Sequence, residues 1–193
     1  MTSHTGKSII IADYDPARPA RFEAERARIF AASGRDAFVD IEHVGSTSVP
    51  GLAAKPIIDM MPGLRSLDDA PPVIATLETL GFEYVPAFEL ETASGPGMPD
   101  RRYFRRDIDG ERVFHVHMVE AGGEFWTAHL LFRDYLRAFP AVAEEYGKLK
   151  RKLAFEFNLR LTPTSDINIG YTDRKTEFIE GAKAAARRWR GRK

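Results

Sequence analysis

The stretch from Ile41 to Met61, IEHVGSTSVPGLAAKPIIDMM, constrains this chain more than any other. An apolar strand ends at Gly45-Ser46, a bend of small residues closes at Gly51, and a second apolar strand, Pro56 to Met61, carries one acid, Asp59. The bend is too rich in Gly, Ser, Thr and Pro for regular structure. Strands joined by so short a connection lie together in one sheet, which brings Asp59 beside the bend. Glycine lets the backbone approach a ligand. The hydroxyls of Ser46, Thr47 and Ser48 are hydrogen-bonding groups for phosphate oxygen. A turn ending in Gly51 directs backbone N–H groups at an anion, and Lys55 adds a point charge. Asp59 is placed to hold Mg²⁺, which keeps water and phosphate oxygens as its other ligands.

With 193 residues, the chain is expected to form a single domain, 1–193, with its own core. Its 28 basic and 28 acidic side chains cancel. Nucleic acid is therefore an unlikely partner, because coating phosphates needs a basic excess. The chain has no cysteine, which excludes disulfides, thiolate metal sites and thiol catalysis. The first residues, MTSHTGKSIIIADYDP, do not form a secretory signal. No apolar run of about 20 residues is present to span a membrane. A cytoplasmic protein with no membrane partner is the expectation.

Residues 8–12 read as an extended arm, and Asp15-Pro16 as the start of a helix ending near Gly34. Strands follow at 37–44 and 56–61, the second stopped by Pro62-Gly63. A helix over 66–80 has Ser66 as N-cap and Gly81 at its C-terminus. After a strand over 82–88 and a loop over 92–100, Asp109-Gly110 turns a hairpin of 103–108 and 112–120. From Glu124 the pattern is helical, with helices at about 124–138, from Pro140, and over 172–190.

At HVGSTSVPGLAAKPIIDM the chain resembles the GrpB family of predicted nucleotidyltransferases, in the DNA polymerase β-like nucleotidyltransferase superfamily. The likeness extends to FHVHMVE, to WTAHLLFRDYLRAFP with the following AEEYGKLK, and to YTDRKTEFI. It implies an α+β fold, a mixed β-sheet flanked by helices with further C-terminal helices. It also implies Gly45 and Ser46 as the nucleotide loop and Asp59 as the first carboxylate for a divalent metal, Mg or Mn. A nucleoside triphosphate would be the substrate and an unknown small molecule the acceptor. The same module occurs fused to dephospho-CoA kinase, which raises a non-catalytic nucleotide- or phosphate-binding accessory role as the alternative. Active superfamily members carry acid–apolar–acid on the second strand, so that two carboxylates share a face. Here the trio is Asp59-Met60-Met61, and two-metal catalysis lacks its second acid.

His115 and His117 alternate on one strand and share a face. With Asp59 they make a two-histidine, one-carboxylate set that ligates a metal or acts in catalysis. Of the adjacent Arg101 and Arg102, alternation sends one into the cleft; Arg102 is assigned there as an anion contact. Arg133 shares a helical face with His129 and is assigned to the cleft. Lys175, four residues after Tyr171, is assigned to the triphosphate from the last helix. Glu42 and His43 lie on opposite faces of the first strand, so one of them faces the site. Lys150 is a lesser candidate. A serine hydrolase is disfavoured because Ser46 lacks the Gly-x-Ser-x-Gly setting, and a His–Asp phosphohydrolase trails the nucleotide readings.

Overall fold

The computed structural model describes residues 8–90, 97–159 and 167–191, with only the backbone of 167–173. Among these residues, five strands form one mixed sheet in the order β1-β2-β5-β4-β3. They are β1 (Asp40–Val44), β2 (Ile58–Leu64), β3 (Glu83–Tyr84), β4 (Arg101–Ile108) and β5 (Glu111–Glu120). The helices are α1 (Arg18–Ser33), α2 (Ala70–Thr79), α3 (Glu124–Ala138), α4 (Pro140–Asn158) and α5 (Ile167–Arg190). This is the expected α+β class, a mixed sheet flanked by helices. β2 and β5 pair in parallel, and the other neighbours pair antiparallel.

Alternation sorts the two faces. Ile58 and Met60 of β2, Phe104 of β4, and Val116 and Met118 of β5 face α1 and α2. There they meet Phe22, Ile29, Val73 and Leu77 in the main core. On the other face Met61, Val44 and Val119 pack under Phe125, Trp126 and Leu130 of α3. Helices α4 and α5 close over the connection between β1 and β2, where Val49 and Leu52 meet Leu136, Tyr146 and Phe178. No helix of the described residues is long and apolar enough to cross a membrane.

Several boundaries move. Pro62-Gly63 does not end β2: Pro62 pairs with Ile41 and Gly63 with both Asp40 and Val119. The pairing to β5 skips Met61 and Pro62 and resumes in the same register, so the missing proline N–H interrupts the ladder without stopping it. β1 is shorter than expected because residues 35–37 form a 3₁₀ turn. The strand expected over 82–88 is cut to two residues by a 3₁₀ turn at Pro86–Phe88. The Asp15 carboxylate accepts the Ala17 N–H, and the helix proper starts at Arg18. Ser66 accepts the Asp68 N–H as foreseen, but a 3₁₀ turn precedes α2. α5 begins five residues earlier than 172. Most of the loop expected over 92–100, and the last two residues of the basic tail, lie outside the described residues.

Gly63 lets α3 approach the sheet: a Cβ there would sit 2.6 Å from the Trp126 ring. Gly63→Ala is therefore expected to push Trp126 off β2. In a Trp189→Phe background, Trp126 emission should shift and urea unfolding should show a loss of about 1–3 kcal/mol.

Candidate functional site

The face of β2 that meets α3 carries Asp59, Met61 and Gly63 in alternation. α3 roofs the far end of this row. Met61 is wholly buried there, so the position where a second acid was sought belongs to the hydrophobic core. Asp59 lies at the open end, about a quarter exposed.

Val44 is the partner of Asp59 on one side and His115 on the other. The chain leaves β1 through Gly45 at φ 70°, ψ −172°, a region essentially closed to other residues. A Cβ at Gly45 would lie 2.3 Å from Asp59 Oδ2, so the loop backbone rests directly on the carboxylate. A short 3₁₀ turn, Ser46–Ser48, follows. Its hydroxyls divide: Ser48 Oγ donates to the Gly45 carbonyl at 2.6 Å, and Thr47 Oγ1 is 3.1 Å from His43 Nε2. Both are buried. Two of the three hydroxyls assigned to a ligand thus hold the loop's shape. Ser46 stays half-buried, and its hydroxyl makes no hydrogen bond among the described residues.

Asp59, His115 and His117 come together as expected. Their ligand atoms all lie within 4.8 Å of one another, a spacing that suits a single cation. His115 Nδ1 is 3.4 Å and His117 Nε2 3.6 Å from Asp59 Oδ1. Burial pushes the Asp59 carboxyl up, but hydrogen bonding and charge from the two imidazoles together outweigh it and hold the group well below the usual carboxylate range. Burial lowers His117 against the pull of Asp59.

Around the Asp59 carboxylate stand cations from three elements and one connection. Lys55, on the connection into β2, is lowered by burial and held up by Asp59. Lys175 of α5 is pushed down to about 8 by burial and by Lys55. Lys150 of α4, buried over the Tyr146 ring, donates to the Ala53 carbonyl and is pushed down to about 7 by burial and by Lys175. Arg101 of β4 reaches His117, with Nη1 3.2 Å from Nδ1. The side chain of Tyr171 lies outside the described residues.

Two assignments are corrected. Arg102 turns to the opposite face, where it pairs with Glu89 at 3.1 Å and donates to the Pro99 carbonyl. Register explains this. The turn pairs Ile108 with Glu111 and Asp107 with Arg112; continued unbroken, that ladder would set Arg102 opposite His117. A bulge at Arg106/Asp107 leaves Val113 as the extra residue, so Tyr103 pairs with His117 instead. A one-residue slip exchanges the faces and brings Arg101, Tyr103 and Arg105 to the histidine side. Arg133 is the second correction. It pairs with Glu42 at 2.6 Å and Asp134 at 2.8 Å and caps the His43 carbonyl, beside a groove along the outer edge of β1. Glu42 thus faces α3, while His43 faces α1 and stacks on Phe22 with ring centroids 4.7 Å apart.

Sequence reasoning passed over Tyr103, whose ring lies 5.4 Å from both histidines. His129, read from the sequence as lining the cleft together with Arg133, is stacked on Phe125 at 3.9 Å. Strand alternation was the signal for Tyr103, and only the bulge gives its phase.

A family model described as GrpB protein matches residues 8–185. UPF0157 protein YqkA of Bacillus subtilis is 40% identical over 169 residues, covering 88% of this chain and 44% of YqkA. The chain thus spans less than half of that relative's length. A UPF0157 protein of Streptomyces coelicolor is 36% identical over 176 residues, covering 91% of this chain and 83% of the relative. A dephospho-CoA kinase of Mycobacterium leprae is 30% identical over 145 residues, 65% of this chain and 35% of the kinase. Among solved structures, the conserved protein GrpB from Enterococcus faecalis superposes with a TM-score of 0.75 at 34% identity, covering 92% of this chain and 96% of that one.

Gly45→Ala is expected to displace Asp59 and to cost about 1–3 kcal/mol from backbone strain alone, read by urea denaturation. His43 supplies a pH test. Burial pushes it down from 6.5 to about 4, so the unfolded chain binds more protons between those values. Stability is then fully present above pH 6.5 and falls as pH drops towards 4, by up to roughly 3 kcal/mol for this group. His43→Gln should flatten the decline by close to one proton's slope; an unchanged slope would contradict the assignment.

Proposed function

The chain belongs to the GrpB family, and on that premise we propose that it binds a nucleoside triphosphate with a divalent cation at Asp59 and transfers a nucleotidyl group to a small acceptor. The observation that carries this reading is a local charge pattern: the Asp59 carboxylate, in contact with a glycine-led loop, lies among Lys55, Lys150, Lys175 and Arg101. Such a pattern suits a polyanion whose charge is partly neutralised by a metal. A bound Mg²⁺ or Mn²⁺ would supply charge neutralisation at phosphate oxygens. Ser46 and the Gly45 backbone would receive the phosphates, and Lys175 and Lys55 would offset charge on the leaving pyrophosphate. In the transfer, an acceptor hydroxyl oxygen forms a bond to the α-phosphorus as the bond to the bridging β-phosphate oxygen breaks. The acceptor proton passes to solvent, and pyrophosphate leaves.

A second reading is a binding module without turnover. Met61 favours it, because the second acid of the two-metal pattern is replaced by a fully buried core residue. The stretch shared with a dephospho-CoA kinase is consistent with an accessory role.

Calorimetry with nucleoside triphosphates and Mg²⁺ or Mn²⁺ tests both readings. Binding that needs the metal and disappears in Asp59→Ala is expected, with pyrophosphate released in the presence of a mixed pool of small acceptors. Binding without release selects the module, and failure of every triphosphate to bind removes both readings.

A further inference from the structure

We infer that Arg101 is a positioning residue that fixes His117 as a hydrogen-bond donor towards the bound ligand, leaving Asp59 and His115 as the protein groups that hold the cation. The inference rests on the proposed function for the presence of a ligand and a cation, but not for the state of His117 itself.

A guanidinium carries five N–H donors, no acceptor, and a permanent charge. Arg101 Nη1 lies 3.2 Å from His117 Nδ1. Nδ1 therefore holds the lone pair, and the proton of the neutral ring sits on Nε2. That is the nitrogen facing Asp59 Oδ1 at 3.6 Å. A metal-ligating histidine needs the reverse arrangement. Its ligating nitrogen offers the lone pair, and its other nitrogen donates N–H to a carboxylate, a carbonyl or water. If Nε2 took a metal, Nδ1 would turn an N–H on the N–H of Arg101. The three-residue spacing admits a cation, but the chemistry behind His117 opposes ligation by that ring.

Arg101 is held in place. Its guanidinium carbon lies 5.0 Å from the Tyr103 ring centre and 5.9 Å from that of Phe125. Its Nε is enclosed without a hydrogen-bond partner among the described residues. Glu89, the acid whose charge it feels, is paired with Arg102. His117 is in turn flanked by Tyr103 at 5.4 Å and Phe125 at 5.9 Å, which restrains the ring from turning Nε2 away. His115 Nδ1 faces the same Asp59 oxygen with no arginine hydrogen-bonded to its ring among the described residues. The site thus divides its two histidines. His115 joins the carboxylate, and His117 presents N–H to a phosphoryl oxygen.

The test uses the full-length, ¹⁵N-labelled, metal-free protein above pH 7, where long-range ¹⁵N–¹H correlations report imidazole tautomers. His117 is expected as the Nε2–H tautomer, and Arg101→Met should release it to a mixture containing Nδ1–H. Zn²⁺ titration then reads the consequence. Arg101→Met should bind Zn²⁺ about tenfold more tightly, the scale on which outer-shell partners act. His115→Gln should lose at least about tenfold in affinity and His117→Gln no more than about twofold on the same scale. An Nδ1–H tautomer in the wild-type protein overturns the inference, as do equal losses in the two histidine variants. Should the wild-type protein bind no Zn²⁺, the cation in the proposed function falls, and the tautomer spectrum still decides the role of Arg101. The wild-type spectrum and the histidine variants suffice if Arg101→Met does not fold.

Discussion

The contact between the Gly45 backbone and the Asp59 carboxylate is the constraint from which the rest of the site follows. Hydrogen bonding in the β1–β2 ladder puts Val44 opposite Asp59, so the chain must leave β1 directly over the acid. Any side chain at Gly45 would occupy the space of Oδ2. The positive φ there then turns the loop across the end of the sheet. The glycine and the aspartate, fourteen positions apart, form one geometric unit, and the parallel pairing of β2 with β5 adds His115 to it without further specification.

How α3 sits on the sheet decides what Asp59 has for company. Along one face of β2 the side chains shrink from methionine at Met61 to nothing at Gly63, and Trp126 fills the space. An acid at Met61 would be buried against the apolar side chains of Val44, Val119 and Leu130, and a carboxylate left there without polar compensation costs several kcal/mol. Methionine rather than the acid sought at this position is therefore coupled to the close approach of α3. Placing an acid there would require lifting the helix as well as changing one residue.

Much of this was legible from residue order. The Gly–Ser bend, the lone acid on the next strand, the alternating histidines and the Asp109-Gly110 turn each have a local physical meaning, and together they implied a mixed sheet with its site at a strand end. The phase of β4 was not legible. Which of two adjacent arginines faces the histidines depends on one unpaired residue, Val113, in a hairpin whose turn alone predicts the other answer. Nor was the fate of Arg133 or of the Thr47 and Ser48 hydroxyls. Those side chains have the chemistry of phosphate ligands, but partners set by the folded geometry engage them first: Glu42, 91 positions away, for Arg133, and the nearby His43 and Gly45 for Thr47 and Ser48. Local chemistry gives a residue's capacity, and tertiary contacts decide whether it is already spent.

Under the proposed function, the spent cations also bear on phosphate binding. Arg133 caps the His43 carbonyl, Arg137 the Ser48 carbonyl through two N–H groups, and Lys150 the Ala53 carbonyl. Arg26 does the same for Ile41. Along the outer edge of β1, Arg26 and Arg133 occupy the Ile41 and His43 carbonyls, acceptors that would otherwise recruit another strand. In the loop, Arg137 and Lys150 have a second effect. Carbonyl oxygens turned towards fixed cations are not presented to an incoming phosphate, so the groups that would repel an anion are drawn away while the fold is made. For the proposed ligand, the loop would thereby be preorganised by residues outside its phosphate contacts. A preformed set of donors pays no reorganisation when charge arrives. Removing Arg137 or Lys150 would then act on anion affinity through the backbone carbonyl it releases, in addition to the charge it takes away.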